Sequence, residues 1–298
     1  MSGRWQEVGE KGGATGLAIL VFVATGLGRR MARWLLVPIA WWFVLLHADV
    51  RRASAGYLRR VLPGPVGIRE IHRHVRTFAR VALDRLFLAR GDLRPFRITS
   101  EGEEHFERIR VAGRGAILLL SHLGSYDAMR AWSAVRGTRV SAIGDFRNAR
   151  MITETLRRIN PEVDQDLIQI EEGAPFVLAV EDRVSRGGIV ATMGDRVGSD
   201  GKQVGADFLG GRASFPAGPY LLAAVLHCPV YLAFGIYREP DRYELCIEPF
   251  ADRIELPRGD REGALAVHVQ AYARRLEELC RAAPYNWFNF YDFWSSQR

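Results

Sequence analysis

The chain has 298 residues, 25% of them charged and 48% apolar, enough to bury a sizeable core as one large α/β domain or two small ones. That balance excludes a disordered tail and a polytopic membrane protein. The net charge of +7 is lopsided: residues 1–100 carry 17 basic and 6 acidic side chains, the remaining 198 carry 24 and 28. A basic front end on a slightly acidic body predicts a local anionic partner, a nucleic acid or an anionic membrane.

The first elements along the chain are two uncharged runs. Gly12 to Gly28 spans 17 residues and is followed by Arg29, Arg30 and Arg33; Trp34 to Ala48 carries Trp34, Trp41, Trp42 and Phe43 and contains Pro38. A spanning helix needs about 20 apolar residues, so the first run barely qualifies and the second is short. No small-residue cleavage site with a polar start follows, which argues against a secretory signal. Two membrane arrangements fit. Either the first run spans with the arginines holding its end in the cytoplasm, or both runs dip as a hairpin with tryptophans at headgroup level. A pair of buried helices in a soluble core is the alternative. Residues 1–50 are therefore expected to be an apolar helical membrane anchor, and residues 51–298 an α/β domain with a basic helical lead-in over 51–97. Within that lead-in Ile68, Ile71, Val75, Phe78, Ala82 and Leu86 step by three or four residues, an amphipathic helix whose other side carries Arg69, Arg73, Arg76 and Arg80.

Beyond residue 115 the pattern alternates. Ala116 to Leu120 is an unbroken apolar run, the mark of a strand buried on both faces. Similar runs occur at Gly188–Met193 and Pro229–Ile236, with alternation around Tyr243–Phe250. Helical stretches fall at Tyr126–Val135, Ala149–Ile159, Ala174–Ser185 and Pro219–Leu226, and Leu265, Val269, Tyr272, Leu276 and Leu279 form a late helical stripe. These alternations predict an α/β fold with a mixed, largely parallel sheet flanked by helices. Ligands of such sheets bind at the carboxyl ends of the strands, so the chemistry is sought there.

Three segments stand out. In Ser121–Asp127 (SHLGSYD), His122 ends the first buried strand, Ser125 is placed to cap the next helix, and Asp127 falls in its first turn. Across so tight a turn a carboxylate five residues on can reach the far ring nitrogen of the histidine. It would steady an imidazolium while the near nitrogen takes a proton from an alcohol. A His-x4-acid pair arises by chance about 0.8 times in this composition, so position rather than spacing carries the reading. The second segment, Met193–Gly201, places Asp195 and Arg196 at another strand mouth; Lys202 and Arg212 follow, and the Gly/Pro-rich block 207–219 leads into an apolar helix, where backbone amides suit an anionic ligand. In the third, Pro284–Trp294, seven of eleven residues are aromatic, which suits a segment packed over the core, a seal on a lipid-facing groove, or both. Cys228, Cys246 and Cys280 show no C-x-x-C spacing, which argues against a disulfide framework or a thiolate zinc site and predicts reduced thiols on a cytosolic side.

Taken together, the short apolar front end, SHLGSYD, the Asn148–Arg150 block, Gly194–Arg196, the FLGGRASFPAGP block at 208–219 and the aromatic tail resemble the lysophospholipid acyltransferase superfamily, in the branch of the late lipid A acyltransferases. The resemblance covers most of the chain, and the order of the motifs is its most specific feature. It implies a membrane-bound enzyme moving a fatty acyl group from acyl carrier protein or coenzyme A to a hydroxyl of a lipid or glycolipid acceptor, at the cytoplasmic face of a bacterial inner membrane. His122 maps onto the family's general base and Asp127 onto its orienting acid. Asp195 maps onto the acidic position behind the next active-site strand. Ser125 and Arg196 join the substrate site, with Phe208, Leu209, Gly210 and Gly218 lining the groove; Arg147 and Arg150 stand where the family places basic residues near the acyl or phosphate end. No metal or redox cofactor is implied; the acyl thioester is a co-substrate. The tail departs from the basic tryptophan motif of the lipid A enzymes, which favours another glycolipid or lipid as acceptor. Two other readings remain: a nucleic-acid-binding protein using the arginines of residues 50–97, disfavoured by the apolar neighbours, and a lipid hydrolase using the same histidine without a GxSxG elbow.

Overall fold

The computed structural model describes residues 26, 28–144, 160, 166–170, 173–197 and 201–294. Among the described residues the first three helices of the element order are α1 (Arg29–Leu46), α2 (Ala48–Val61) and α3 (Ile68–Leu88). There follow β1 (Arg97–Glu101), α4 (Glu104–Ala112), β2 (Ala116–Leu120), α5 (Tyr126–Val135), β3 (Val140–Gly144) and β4 (Leu167–Gln169). The second half comprises α6 (Ala174–Ser185), β5 (Ile189–Met193), β6 (Gln203–Phe208), β7 (Gly211–Pro216), α7 (Gly218–Leu226), β8 (Val230–Arg238), β9 (Arg242–Ala251) and α8 (Arg261–Ala282). The expected α/β architecture, a largely parallel sheet flanked by helices, is what forms.

Seven strands make one sheet in the order β1-β9-β8-β2-β5-β3-β4, parallel throughout except for the β8–β9 hairpin. The unbroken apolar run of β2 lies at its centre because both faces are covered, and all five residues are buried. Side chains alternate between the faces with the period of two that a strand imposes. Ile117 and Leu119 pack with Val190, Leu232, Val269 and Leu276 on one side. Leu118 and Leu120 pack with Met129, Trp132, Phe106 and Val81 on the other.

The block 207–219, expected as an anion-binding loop, is largely a second sheet: β6 and β7 form an antiparallel hairpin. Its turn places Leu209 at φ 50° and Gly210 at φ 72°, the left-handed pair that tight hairpins require. The glycines there serve the turn.

At the front end, α1 runs through Pro38 and meets α2 at a bend of 97°. Ala32, Leu36, Ala40 and Val44, spaced by four, are buried, the first two against Leu83 and Leu86 of α3. The rest of α1 is as apolar and faces outward: Trp34 is 73% exposed and Leu46 64%, with Leu35, Ile39, Trp42 and Leu45 beside them. Among the described residues no single helix is long and apolar enough to cross a membrane, although the bent pair α1–α2 passes by length and composition together. The first uncharged run lies outside the described residues apart from Gly26 and Gly28. The expected helix at 149–159 does as well.

The expected amphipathic helix is α3, but its faces differ from the apolar stripe. Ile71, Val75 and Leu86 are buried, whereas Ile68 and Phe78 are exposed. The arginine side is partly engaged: Arg76 and Arg80 pair with Glu239, and Arg73 lies over the Tyr285 ring. Packing of α1 and of the tail against α3 buries polar His72, His74, Thr77 and Asp84, which hydropathy alone assigns to solvent.

Candidate active site at the end of the central strand

The site begins with register. In the parallel pair β2–β5, Leu120 is opposite Met193. Two residues further on, past both strand ends, are His122 and Asp195. His122 Nδ1 lies 2.7 Å from Asp195 Oδ1, and the backbone N–H of His122 donates to Asp195 Oδ2 at 2.8 Å. Both strand ends are pinned at Leu120, whose carbonyl accepts from the Gly194 amide and from the Tyr272 hydroxyl of α8.

The turn after His122 is held against β8. Gly124 has φ +71°, and a Cβ there would stand 1.9 Å from the Gly235 carbonyl oxygen, so only glycine fits. Ser125 N–H donates to that same carbonyl, and Ser125 Oγ caps α5 by accepting from Ala128 N–H at 3.1 Å, as its spacing predicts.

Asp127 is placed differently from the expectation. Its carboxylate pairs with Arg85 of α3 at 2.8 Å, while Asp195 occupies Nδ1 of His122. The physical reason is that Asp127 belongs to the first turn of α5, an element packed beside α3, so its side chain meets a cation on that helix before it meets the imidazole.

Asp195 is fully buried and accepts three hydrogen bonds, the third from Trp287 Nε1 at 2.9 Å. Burial alone would raise its pKa, but the charge and hydrogen bonds of His122 outweigh this and hold the carboxyl below its usual value. An ionised Asp195 accepts from Nδ1–H, which leaves Nε2 of a neutral imidazole as the proton acceptor. Burial, followed by the positive charge of Arg196, lowers the His122 pKa against the pull of Asp195. His122 is thus neutral at pH 7, with 28% of its side chain exposed. An accessible base with a fixed tautomer is equipped to take a proton from a hydroxyl.

Arg196 donates from Nη2 to the Phe288 carbonyl at 2.5 Å. Phe288 N–H in turn donates to the His122 carbonyl at 2.9 Å, and Leu123 and Trp287 form an antiparallel bridge. The aromatic tail is therefore stitched to the strand-end turn, a role that hydropathy did not reveal. Its residues Trp287, Phe293 and Trp294 enclose Phe208, whose ring centre lies 5.3 Å from that of Trp287. Phe208 and Leu209 are buried in this packing, whereas Gly210 and Gly218 are exposed. Lys202 and Arg212 form exposed pairs with Glu262 and Asp207. Arg147 and Arg150 lie outside the described residues. Among the described residues no three histidine, cysteine or carboxylate side chains converge as a metal-binding set.

The sequence model of a family described as bacterial lipid A biosynthesis acyltransferase matches residues 13–296 of this chain. No curated protein gives a match.

Proposed function

We propose, on the premise that this chain belongs to the bacterial lipid A biosynthesis acyltransferase family and is an acyltransferase, that it transfers a fatty acyl group from an acyl thioester to a hydroxyl of a membrane lipid or glycolipid, with His122 as general base. The observation that carries the reading is the imidazole at the end of the central strand with its Nδ1 held by buried Asp195. The acceptor hydroxyl gives its proton to His122 Nε2 as its oxygen forms a bond to the thioester carbonyl. The tetrahedral oxyanion collapses, the C–S bond breaks, and the imidazolium returns the proton to the departing thiolate. Asp195 stabilises the transient imidazolium. Arg196 supplies positive potential beside the developing oxyanion, and the Arg85–Asp127 pair extends the charged rim of the site. Acyl carrier protein or coenzyme A serves as donor, and no metal or redox cofactor takes part.

The outward face of α1 supports attachment to the cytoplasmic face of the inner membrane. Trp34, Trp42, Leu45 and Leu46 form an apolar surface next to exposed Arg30, on the element that immediately follows the uncharged run Gly12–Gly28. Residues 1–50 act as the anchoring segment, and residues 51–298 as the catalytic domain. Free Cys228, Cys246 and Cys280 accord with a reducing compartment.

The test is acyl transfer measured by mass spectrometry of membrane lipids supplied with an acyl thioester. His122→Ala is expected to lower turnover by roughly two to four orders of magnitude. Near-normal transfer by the folded variant excludes the base role. Free fatty acid in place of acylated lipid as the wild-type product would replace transfer with hydrolysis.

A further inference from the structure

The polar chain that ends at His122 does not begin at Asp195. Trp287 is fully buried, and its indole N–H joins the His122 backbone N–H on Asp195 Oδ2, so that Oδ1 is left for the imidazole. The carbonyl of the same Trp287 accepts from Nε2 of His74 at 2.8 Å, and Nδ1 of His74 lies 2.9 Å from Ser54 Oγ. A carbonyl only accepts, so Nε2 of His74 carries the proton, and Nδ1 accepts from the Ser54 hydroxyl. Complete burial drives the His74 pKa down to about 4, so the ring is neutral and this tautomer is the one present at pH 7. The chain thus runs from Ser54 on α2 through His74 on α3 and Trp287 in the tail to Asp195 and His122. Each link is buried or partly buried and has one possible direction of donation.

We propose that Trp287 is a positioning residue for the acyl-transfer reaction, and that His74 holds it in place. The C-terminal aromatic segment is in this way a brace for the His122–Asp195 pair as well as core packing. The proposal rests on the reading of His122 as the base. A carboxylate with two equivalent oxygens turns about its Cβ–Cγ bond; the indole N–H adds to the His122 N–H a second donor on Oδ2, one anchored outside the strand-end turn, and the two together oppose that rotation and aim Oδ1 at Nδ1. Apolar packing alone would be met by phenylalanine at position 287, since Tyr57, Phe208 and Phe293 surround the ring. The indole N–H is what phenylalanine lacks.

The experiment compares Trp287→Phe, His74→Phe and His74→Gln with the wild type and with His122→Ala. Each is assayed for kcat and KM with a saturating acyl thioester and a membrane lipid extract. The Nδ1 proton of His122 is followed by NMR after 15N labelling of histidine, and thermal melting checks folding. Trp287→Phe is expected to lower kcat roughly tenfold or more, the scale of a lost hydrogen bond to a charged acceptor, with KM little changed. The Nδ1 proton resonance moves or broadens with it. His74→Phe follows in the same direction, and His74→Gln, which keeps an N–H donor for the Trp287 carbonyl, recovers part of the loss. Wild-type kcat with an unshifted Nδ1 resonance in a folded Trp287→Phe protein overturns the brace. If His122→Ala is inactive at the same time, the brace alone fails; if His122→Ala is as active as wild type, the reading of the base fails as well.

Discussion

The strand-end cluster and the leading helix α1 are built on opposite terms. Around His122, four polar groups from three segments are paired atom to atom, and the central carboxylate is wholly buried. On α1 the fully buried stripe is made of small and medium apolar side chains, and large apolar residues such as Trp34, Leu45 and Leu46 face outward. Burying a charge demands specific partners, so the first region has one arrangement. Burying methyl groups demands only a dry surface, so the second region tolerates many arrangements. What joins α1 to the body with specificity is again polar: Arg29 pairs with fully buried Asp84, which also accepts from the Tyr243 hydroxyl at 2.9 Å, and Arg33 donates to the Tyr237 hydroxyl and the Pro240 carbonyl.

The contrast is broken most strongly at that pair. Asp84→Ala strands Arg29 beside a buried phenol and is expected to cost about 3–5 kcal/mol, read as a loss of melting temperature and release of α1 to proteolysis. A variant as stable as wild type would show that α1 is held by its apolar stripe and the Arg33 bonds without this pair.

Acid sharpens the same comparison. His74 has a folded pKa of about 4, below the ordinary value of a histidine in the unfolded chain. The unfolded state therefore binds the proton first. Stability from this group is complete above pH 6.5 and falls by about 3 kcal/mol as pH drops toward 4. His122, lowered in the same sense by burial and Arg196, adds to the loss and stays neutral down to pH values where a free histidine is charged. Chemical denaturation at pH 7 and pH 4.5 reads the first effect. The acid limb of kcat/KM reads the second, and Arg196→Gln is expected to move that limb to higher pH.

The smallest change in stability is expected on the outer face of α1. Trp34→Ser and Leu45→Ser together alter folding by roughly 0.5 kcal/mol or less, as exposed substitutions do. The same pair is expected to weaken retention on vesicles of anionic lipid through a high-salt wash. Equal retention would move the membrane contact elsewhere.

Much of the sheet was legible because β2, β5 and β8 are buried on both faces and read as unbroken apolar runs. β1, β3 and β4 are not: β1 and β4 lie at the sheet edges where polar residues intrude, and Ser141 interrupts the apolar run of β3. The hairpin β6–β7 was hidden by glycines that suggested a ligand loop while serving a turn. The outward side of α1 cannot be read from a helix that is apolar on every side beyond Arg33. Only packing against α3 distinguishes its faces.

At the site, His122 was legible from its place behind the central strand, and Asp195 was flagged at the mouth of the next. Their pairing was not, because it follows from the register of β2 against β5, a relation between segments 73 residues apart. Spacing along the chain favoured Asp127, which the packing of α5 beside α3 gives to Arg85 instead. The aromatic tail that holds Trp287 stands out in the sequence, but its bond to Asp195 leaves no local trace, and hydropathy assigns His74 to solvent although it is buried.

The most direct measurement compares acyl transfer by Asp195→Asn and Asp127→Asn in folded protein. The geometry predicts that Asp195→Asn loses turnover by orders of magnitude, since Nδ1 of His122 then lacks its carboxylate, and that Asp127→Asn loses far less. The reverse order would contradict the pairing of His122 with Asp195 and return the orienting role to the first turn of α5.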